Sequence, residues 1–254
     1  MKTLRSPRLN STVVKVAVET FFSAARLYDE SMVEVEREGA VARIFLNRPE
    51  KANALNSAML AELHHALRKI DDAKVVVLAG RGKAFCGGAD VVELRSLNVE
   101  TAPAFVTRIH EACKIIRELP VPVVARLHGA VIGAGLEIAA ACDLRVAADG
   151  TKFAMPEVKL AIPSVVEAAL LPRLMGSGRA AWLVLTGEAI DARRALEWGL
   201  IEEIGHGEKL IQALLAADAG ALRMQKQLLQ LWDEASLATS VAASIERFAQ
   251  AYNR

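Results

Sequence analysis

Two glycine-rich turns, each set between a short apolar run and a helix-spaced stretch, constrain this chain more than any other feature. The first, Ala84-Phe-Cys-Gly-Gly-Ala-Asp90, comes after Val75-Val-Val-Leu-Ala79, a wholly apolar run of strand length. The second, Gly129-Ala-Val-Ile-Gly-Ala-Gly135, comes after the strand that starts in Pro120-Val-Pro-Val-Val-Ala125, and it opens the stretch Leu136 to Cys142. Glycines let another backbone or a ligand come close. A helix start offers free N–H groups and a positive dipole end, which suit an oxygen that gains negative charge. Each turn alone is equally well read as a plain connection. Gly129, Gly133 and Gly135 do not have the G-x-G-x-x-G spacing of a dinucleotide site, and the chain carries no phosphate loop.

Around these turns the periodicity alternates. Met32 to Glu36, a turn at Arg37-Glu38-Gly39, and Val41 to Leu46 predict a β-hairpin. Ala58 to Ile70 has helical spacing, and Thr101 to Leu119 predicts a long amphipathic helix with Thr101 as its N-cap. A second cycle runs through a helix at Ala134–Cys142, a strand at Asp143–Ala147 and a helix at Val165–Met175, so the class is α/β. From Ser177 the pattern turns almost wholly helical. Asp191 is expected to cap a helix that Gly199 ends, Gly220 to separate two further segments, and the last helix to reach Tyr252. The expected organisation is an N-terminal extension over 1–31, a core over 32–190 and a helical region over 191–254.

Charge excludes some functions. With 31 basic and 30 acidic side chains among 254 residues, no nucleic acid partner is called for, and no apolar run approaches the ~20 residues of a membrane span. Cys86, Cys113 and Cys142 form no C-x-x-C pair and suit a reducing compartment. His64, His65, His110, His128 and His206 form no metal-binding pattern, so no metal is expected. Met1 to Val18 holds Lys2, Arg5, Arg8 and Lys15 and no acid, in the manner of a transit peptide, whereas Glu19, Asp29 and Glu30 favour an extra helix or an added remnant. Cytoplasm and mitochondrial matrix both fit.

Three carboxylates stand out. Glu137 lies one turn into the apolar stretch Ile-Ala-Ala-Ala, where a buried charge needs a reason. Glu157 follows Pro156 and, taken alone, reads as a solvated acid at a helix start. Glu167 is the sole charge in Pro163-Ser-Val-Val-Glu-Ala-Ala-Leu and fits either the surface or a pocket.

In order along the chain, Asn47-Arg-Pro-Glu-Lys-Ala-Asn-Ala-Leu55, Ala84 to Asp90, His128 to Glu137, Ala141-Cys-Asp-Leu144 and Phe153-Ala-Met-Pro-Glu157 resemble the crotonase, or enoyl-CoA hydratase/isomerase, superfamily. The likeness continues through Leu185-Thr-Gly-Glu188 and Ala195 to Leu200. It implies a spiral of ββα units, a helical C-terminal region at a trimer interface, and assembly as a homotrimer or hexamer. It implies an acyl-CoA thioester as substrate, with coenzyme A as part of that substrate and no separate cofactor. The oxyanion-hole N–H groups fall on Ala89 and Ala134, and the catalytic glutamates on Glu137 and Glu157. Ala52, Ala54, Gly88, Ala89, Asp90 and Val91 match the segments that wrap coenzyme A. Lys51 reads either as a phosphate contact or as a solvated lysine.

The departures from the pattern bear on the acyl end. Gly133-Ala134-Gly135 stands where the family commonly has three glycines, which adds a methyl group and predicts a tighter pocket. Ser164-Val165-Val166-Glu167 replaces a glycine-rich segment. Relatives among the isomerases and dehalogenases carry a catalytic Asp near the Ser164 position, so Ser164 argues against those chemistries while Glu167 remains a substitute. Many relatives continue beyond the position of Arg254 with a helix that helps close the coenzyme A site, so closure is expected to be weaker here. The expected reaction is syn addition of water to a 2-enoyl-CoA, or the reverse. A double-bond isomerase, or a scaffold that binds coenzyme A or RNA without turnover, are the alternatives.

Overall fold

The computed structural model describes residues 31–70 and 72–252. The N-terminal extension expected over 1–31 lies, apart from Ser31, outside them. Residues Met32–Arg254 make one compact unit.

The predicted hairpin forms, but Arg37 and Glu38 belong to its first strand and the turn is Gly39-Ala40. Strand β1 (Val33–Glu38) runs antiparallel to β2 (Val41–Leu46), with Val33 opposite Leu46 and Glu38 opposite Val41. Parallel pairing then adds β3 (Val75–Gly80), β4 (Val123–Leu127), β6 (Leu144–Ala147) and β9 (Glu203–Ile204), giving a six-stranded sheet ordered β1-β2-β3-β4-β6-β9. A parallel sheet must be covered on both faces, and β3 records this by being apolar at every position. Its Val76 and Leu78 join the main core, while Val75 and Val77 join a smaller cluster with Val41, Val124, Val146 and Ile211 on the opposite face. The main core is closed by α1 (Ser57–Arg68) and α3 (Ala102–Glu118), which bury Leu60, Leu63 and Leu67, and Phe105, Ile109 and Ile116. These spacings make the continuous apolar stripe of an amphipathic helix.

A second sheet of β5 (Ala130–Ile132), β7 (Lys152–Ala154) and β8 (Ile190–Asp191) stands beside the first. β5 lies inside the glycine-rich segment read from sequence as a turn. Three residues are too few to show an alternation, and Val131 is held by pairing with Phe153 and with Cys86 of the first turn. The short helices α2 (Val91–Ser96) and α4 (Ala134–Ala141) follow the two turns.

Several predicted boundaries move. Thr101 is the N-cap position, as predicted, but its side chain caps no N–H of α3; it accepts the Asn98 N–H at 2.9 Å, and Asn98 Oδ1 accepts from the Glu100 and Thr101 N–H groups at 2.9 Å each. The helix expected over Val165–Met175 is a 3₁₀ turn, Val166–Leu170, followed by α5 (Leu171–Met175). Pro172 at the start of α5 cannot donate to a preceding turn, which favours a fresh helix there. In the helical region are α6 (Ser177–Thr186), α7 (Ala192–Trp198), α8 (Glu208–Ala216), α9 (Ala219–Glu234) and α10 (Leu237–Gln250). Asp191 and Gly199 bound α7 as expected, through an Asp191 bond to the Arg194 N–H and a left-handed Gly199. Gly220 lies within α9, and the break falls at Ala217 and Asp218, where the Asp218 side chain caps the Ala221 N–H. A good cap outweighs the roughly 1 kcal/mol that an interior glycine costs. The helical region is tied back into both sheets by β8 and β9, and Lys226 of α9 reaches Asp143 at 2.8 Å in the interior. Among the described residues, no helix is long and apolar enough to cross a membrane.

Candidate active site

The first glycine turn is held from behind by Asn53. This residue is fully buried, takes the Arg48 N–H on Oδ1 at 2.7 Å, and donates from Nδ2 to the carbonyls of Arg81 and Ala84 at 2.9 and 2.8 Å. Ala52 accepts the Gly87 N–H at 2.8 Å. Leu55 then brackets Ala89, donating to Gly88 O and accepting from Asp90 N, both at 2.8 Å. In a parallel bridge of this kind the bracketed residue turns its own N–H away from the bracketing strand. The Ala89 N–H is therefore free of Leu55. Asp90 closes the turn, its Oδ1 capping α2 at the Val92 N–H (2.8 Å) and its Oδ2 on the Arg48 guanidinium at 2.5 Å. That guanidinium, helped by the capping N–H groups, holds the Asp90 carboxyl below its ordinary range.

The second turn is stitched to the first. Cys86 donates to Ala130 O and accepts from Ile132 N, each at 3.0 Å, and Gly133 N donates to Ala154 O at 2.9 Å. Gly88, at φ +97°, lies so close to this strand that a Cβ there would come within 2.9 Å of Ile132 O, with the Ala134 nitrogen at 3.9 Å. The Leu136 and Glu137 N–H groups bond back to Gly133 O. The Ala134 N–H precedes the first helical bond, where a helix leaves donors unsatisfied. Among the described residues it has no acceptor, and neither has the Ala89 N–H. Two unclaimed backbone donors thus lie in adjacent turns, at the positions the resemblance implies.

Carboxylates converge on this place from two elements. Glu157 opens a 3₁₀ turn, Glu157–Leu160, after β7, and its Oε1 occupies the space above Gly133 that any side chain would fill. Its Oε2 accepts the Ser164 hydroxyl at 2.9 Å. Glu137 is buried in the apolar helix α4, and its carboxyl is pushed up to about 8. Burial is the main cause, followed by the charges of Glu157 and then Glu167, while backbone amides of Ala168 and Val165 pull the other way. Burial beside other acids thus favours the neutral form of the Glu137 carboxyl.

Glu167, readable from sequence as surface or pocket, lies inside. It is buried, its Oε1 is 2.7 Å from His110 Nδ1, and its Oε2 has no hydrogen-bond partner among the described residues. Ser164 orients Glu157 and places no acid of its own in the site. Sequence reasoning did not single out Asn53 for its hub role, although it stands in a quoted motif, nor Cys113 on the buried face of α3, nor His110, which is exposed on that helix. Cys86 is packed, its thiol buried, bonded to Asn53 O at 3.2 Å, and pushed up to about 12 by burial. Asp143 anchors backbone, accepting the Val123 N–H at 2.7 Å.

Outside the first turn opens a groove of about 570 Å³, lined among others by Arg48, Lys51, Ala54, Asn56, Val91 and Ser96. Asp90, next in sequence to Ala89, also lines this groove.

The two-sheet α/β fold with its paired glycine turns is that of a crotonase-type enzyme. The family comparison agrees: the Enoyl-CoA hydratase/isomerase family profile matches residues 36–251, and the chain belongs to that family. Among its relatives, a short-chain-enoyl-CoA hydratase of Clostridium acetobutylicum is 32% identical over 233 residues, covering 87% of this chain and 89% of that protein. A crotonyl-CoA hydratase of Syntrophomonas wolfei is 32% identical over 218 residues, covering 84% of each. The crystal structure of an enoyl-CoA hydratase from Thermoplasma volcanium superposes with a TM-score of 0.85 at 31% identity, covering 89% of this chain and 94% of that one.

Proposed function

We propose that the protein is an enoyl-CoA hydratase that adds water reversibly across the 2,3 double bond of a short 2-enoyl-CoA, using Glu137 and Glu157 as its acid–base pair. The observation that carries this reading is the convergence of those two carboxylates on the unclaimed N–H groups of Ala89 and Ala134. The thioester oxygen takes both N–H groups, which are fixed before reaction and strengthen as the oxygen becomes enolate-like, by a few kcal/mol per donor. The groove beside Lys51 and Val91 takes the coenzyme A portion and supplies remote binding energy that positions the acyl end.

In hydration, Glu137 as carboxylate takes a proton from water while the water oxygen bonds to C3, and Glu157 delivers a proton to C2. In dehydration the same atoms run backwards: protonated Glu137 gives its proton to the departing hydroxyl, and Glu157 removes the C2 proton. The pair carries one proton in either direction, and its two forms differ in which acid holds it. Burial raises the Glu137 carboxyl and so favours its protonated form, the form from which dehydration starts. The Ala134 methyl and the side chains of Val165, Val166 and Glu167 narrow the acyl end and favour short chains, as the names of the two relatives suggest.

The test is a panel of 2-enoyl-CoA and 3-enoyl-CoA esters of increasing chain length, followed by mass spectrometry. The expected result is a product one water heavier from the short 2-enoyl esters, with no binding of the corresponding free acids by calorimetry. Conversion without change of mass would make the protein an isomerase, and binding without turnover a scaffold.

A further inference from the structure

We infer that the Glu167 side chain, latched to His110, is the stop of the acyl pocket and sets the longest acyl chain the protein accepts. The inference rests on the hydratase reading, which puts the acyl end of a thioester at this turn.

The 3₁₀ turn Val166–Leu170 borders both acids. Ser164, just before it, holds Glu157 at 2.9 Å, and the turn itself packs against α4, which carries Glu137, and against α3. Val166, Ala168 and Leu170 press onto the main core, so the turn has little freedom to withdraw. An acyl chain that runs past the two acids on this side meets the turn and what the turn carries.

What the turn carries inwards is Glu167. Its side chain spans the gap to α3, where Oε1 lies 2.7 Å from His110 Nδ1 and the Cys113 thiol lies beside the same carboxyl. Residues three apart share a helix face, so His110 and Cys113 bracket the carboxyl between them. The contact with the imidazole needs one proton between oxygen and nitrogen, and it holds whichever of the two carries that proton. His110 is exposed on α3 while Glu167 is 5% exposed, so the latch sits outside and the stop inside.

The placement is costly in two ways. Val166 has φ +41°, a left-handed conformation that a β-branched side chain very rarely adopts and that persists only where its surroundings impose it. Glu167 Oε2 is buried without a hydrogen-bond partner among the described residues, which leaves a polar atom desolvated. An apolar chain end pushed against that oxygen cannot supply the missing bond. The stop is therefore polar as well as steric.

Removing the side chain separates this role from simple packing. Glu167→Ala deletes everything beyond Cβ, and a space opened in a packed region collapses only in part. Glu167→Gln keeps the volume and a polar contact with the imidazole. His110→Ala frees the side chain without removing it.

The experiment measures calorimetric affinities for butyryl-, hexanoyl-, octanoyl- and decanoyl-CoA, with kcat/KM for the matching 2-enoyl-CoA esters, in wild type and the three variants. Wild type should favour the two shorter thioesters. Glu167→Ala should raise the decanoyl-to-butyryl ratio at least about tenfold in both measurements, since a single methylene in an apolar pocket is worth about 10–200-fold. His110→Ala should give a smaller rise, and Glu167→Gln a ratio near that of wild type. A merely structural role would weaken every chain length by a common factor, and an unchanged ratio in Glu167→Ala would overturn the inference. So would wild type binding decanoyl-CoA as tightly as butyryl-CoA, a result that needs no variant to fold, and so would loss of the fold in both Glu167→Ala and His110→Ala. If the ratio rises in binding while no ester is hydrated, the hydratase reading fails and the stop stands. If hydration proceeds with an unchanged ratio, the reverse holds.

Discussion

Helix α4 and the segment from Glu157 to Glu167 offer the same functional group to one cleft and are built in opposite ways. Helix α4 is regular, and every one of its residues from Ala134 to Ala141 is buried. Its one carboxyl is buried and raised mainly by that burial, so the helix acts on it by exclusion from solvent. The facing segment is irregular. It consists of two 3₁₀ turns with left-handed Ala161 and Val166, and exposes Val158, Leu160, Ile162 and Val165. It controls its acids by contact, Ser164 on Glu157 and His110 on Glu167. Burial in α4 raises the Glu137 carboxyl, whereas Glu157 and Glu167 are held by named side-chain partners.

Replacing each acid by glutamine tests that division most severely. Glu137→Gln and Glu157→Gln keep shape and one acceptor oxygen but cannot transfer a proton, so each should lower kcat for hydration by about 10²–10⁴ while coenzyme A thioester binding is nearly intact. The double variant should be little worse than either single one, since the two act as a unit. Stopped-flow rates with calorimetric affinities for all three check this. A fully active Glu137→Gln beside a dead Glu157→Gln would break the pair and leave a one-base isomerase, in which Glu167 becomes the second acid to test.

The contact between the two regions is sharpened at Gly133. It ends β5 and starts α4 with φ +51°, and Glu157 Oε1 fills the place where a side chain would stand. Gly133→Ala should displace the Glu157 carboxylate and strain the donor turn together. A misplacement on the ångström scale costs about 10² in rate. Glu157 is displaced rather than removed, so steady-state kinetics should show a loss no larger than that of Glu157→Gln, with the fold retained by circular dichroism. Activity equal to wild type would separate Glu157 from the turn.

How much of this was legible beforehand follows the same contrast. The regular parts declared themselves: β3 as an unbroken apolar run, α1 and α3 by spacing, α7 by Asp191 and Gly199. The donor turns were visible as glycines, and the ordered motifs tied them to a family. The irregular segment was not legible in the same way. Val165 to Met175 looks helical because a 3₁₀ turn and a short helix share nearly one apolar spacing, and the left-handed backbone at Val166 has no signature in a β-branched residue. Glu167 was ambiguous for that reason. Its partner His110 lies 57 residues away on another helix, a distance no local pattern spans.

The smallest expected effect concerns stability, and it isolates exclusion from contact. Glu137 is raised from an ordinary 4.5 to about 8 on folding. Between those values the folded chain holds a proton that the unfolded chain has released, so the unfolding free energy falls as pH rises through that window. The contribution is complete below about 4.5 and fully lost above about 8, the reverse of a carboxylate such as Asp90, whose depressed value adds stability above its unfolded range and loses it on acidification. Glu137→Gln abolishes the proton exchange at this position. Urea unfolding of wild type and variant at pH 5, 6.5 and 8, at one fixed protein concentration, should therefore give curves that separate as pH rises, the variant becoming relatively more stable by on the order of a few kcal/mol. A difference between the two proteins that stays constant across the three pH values would mean that Glu137 is solvated in the folded chain. Helix α4 would then control its acid by contact, as the facing segment does.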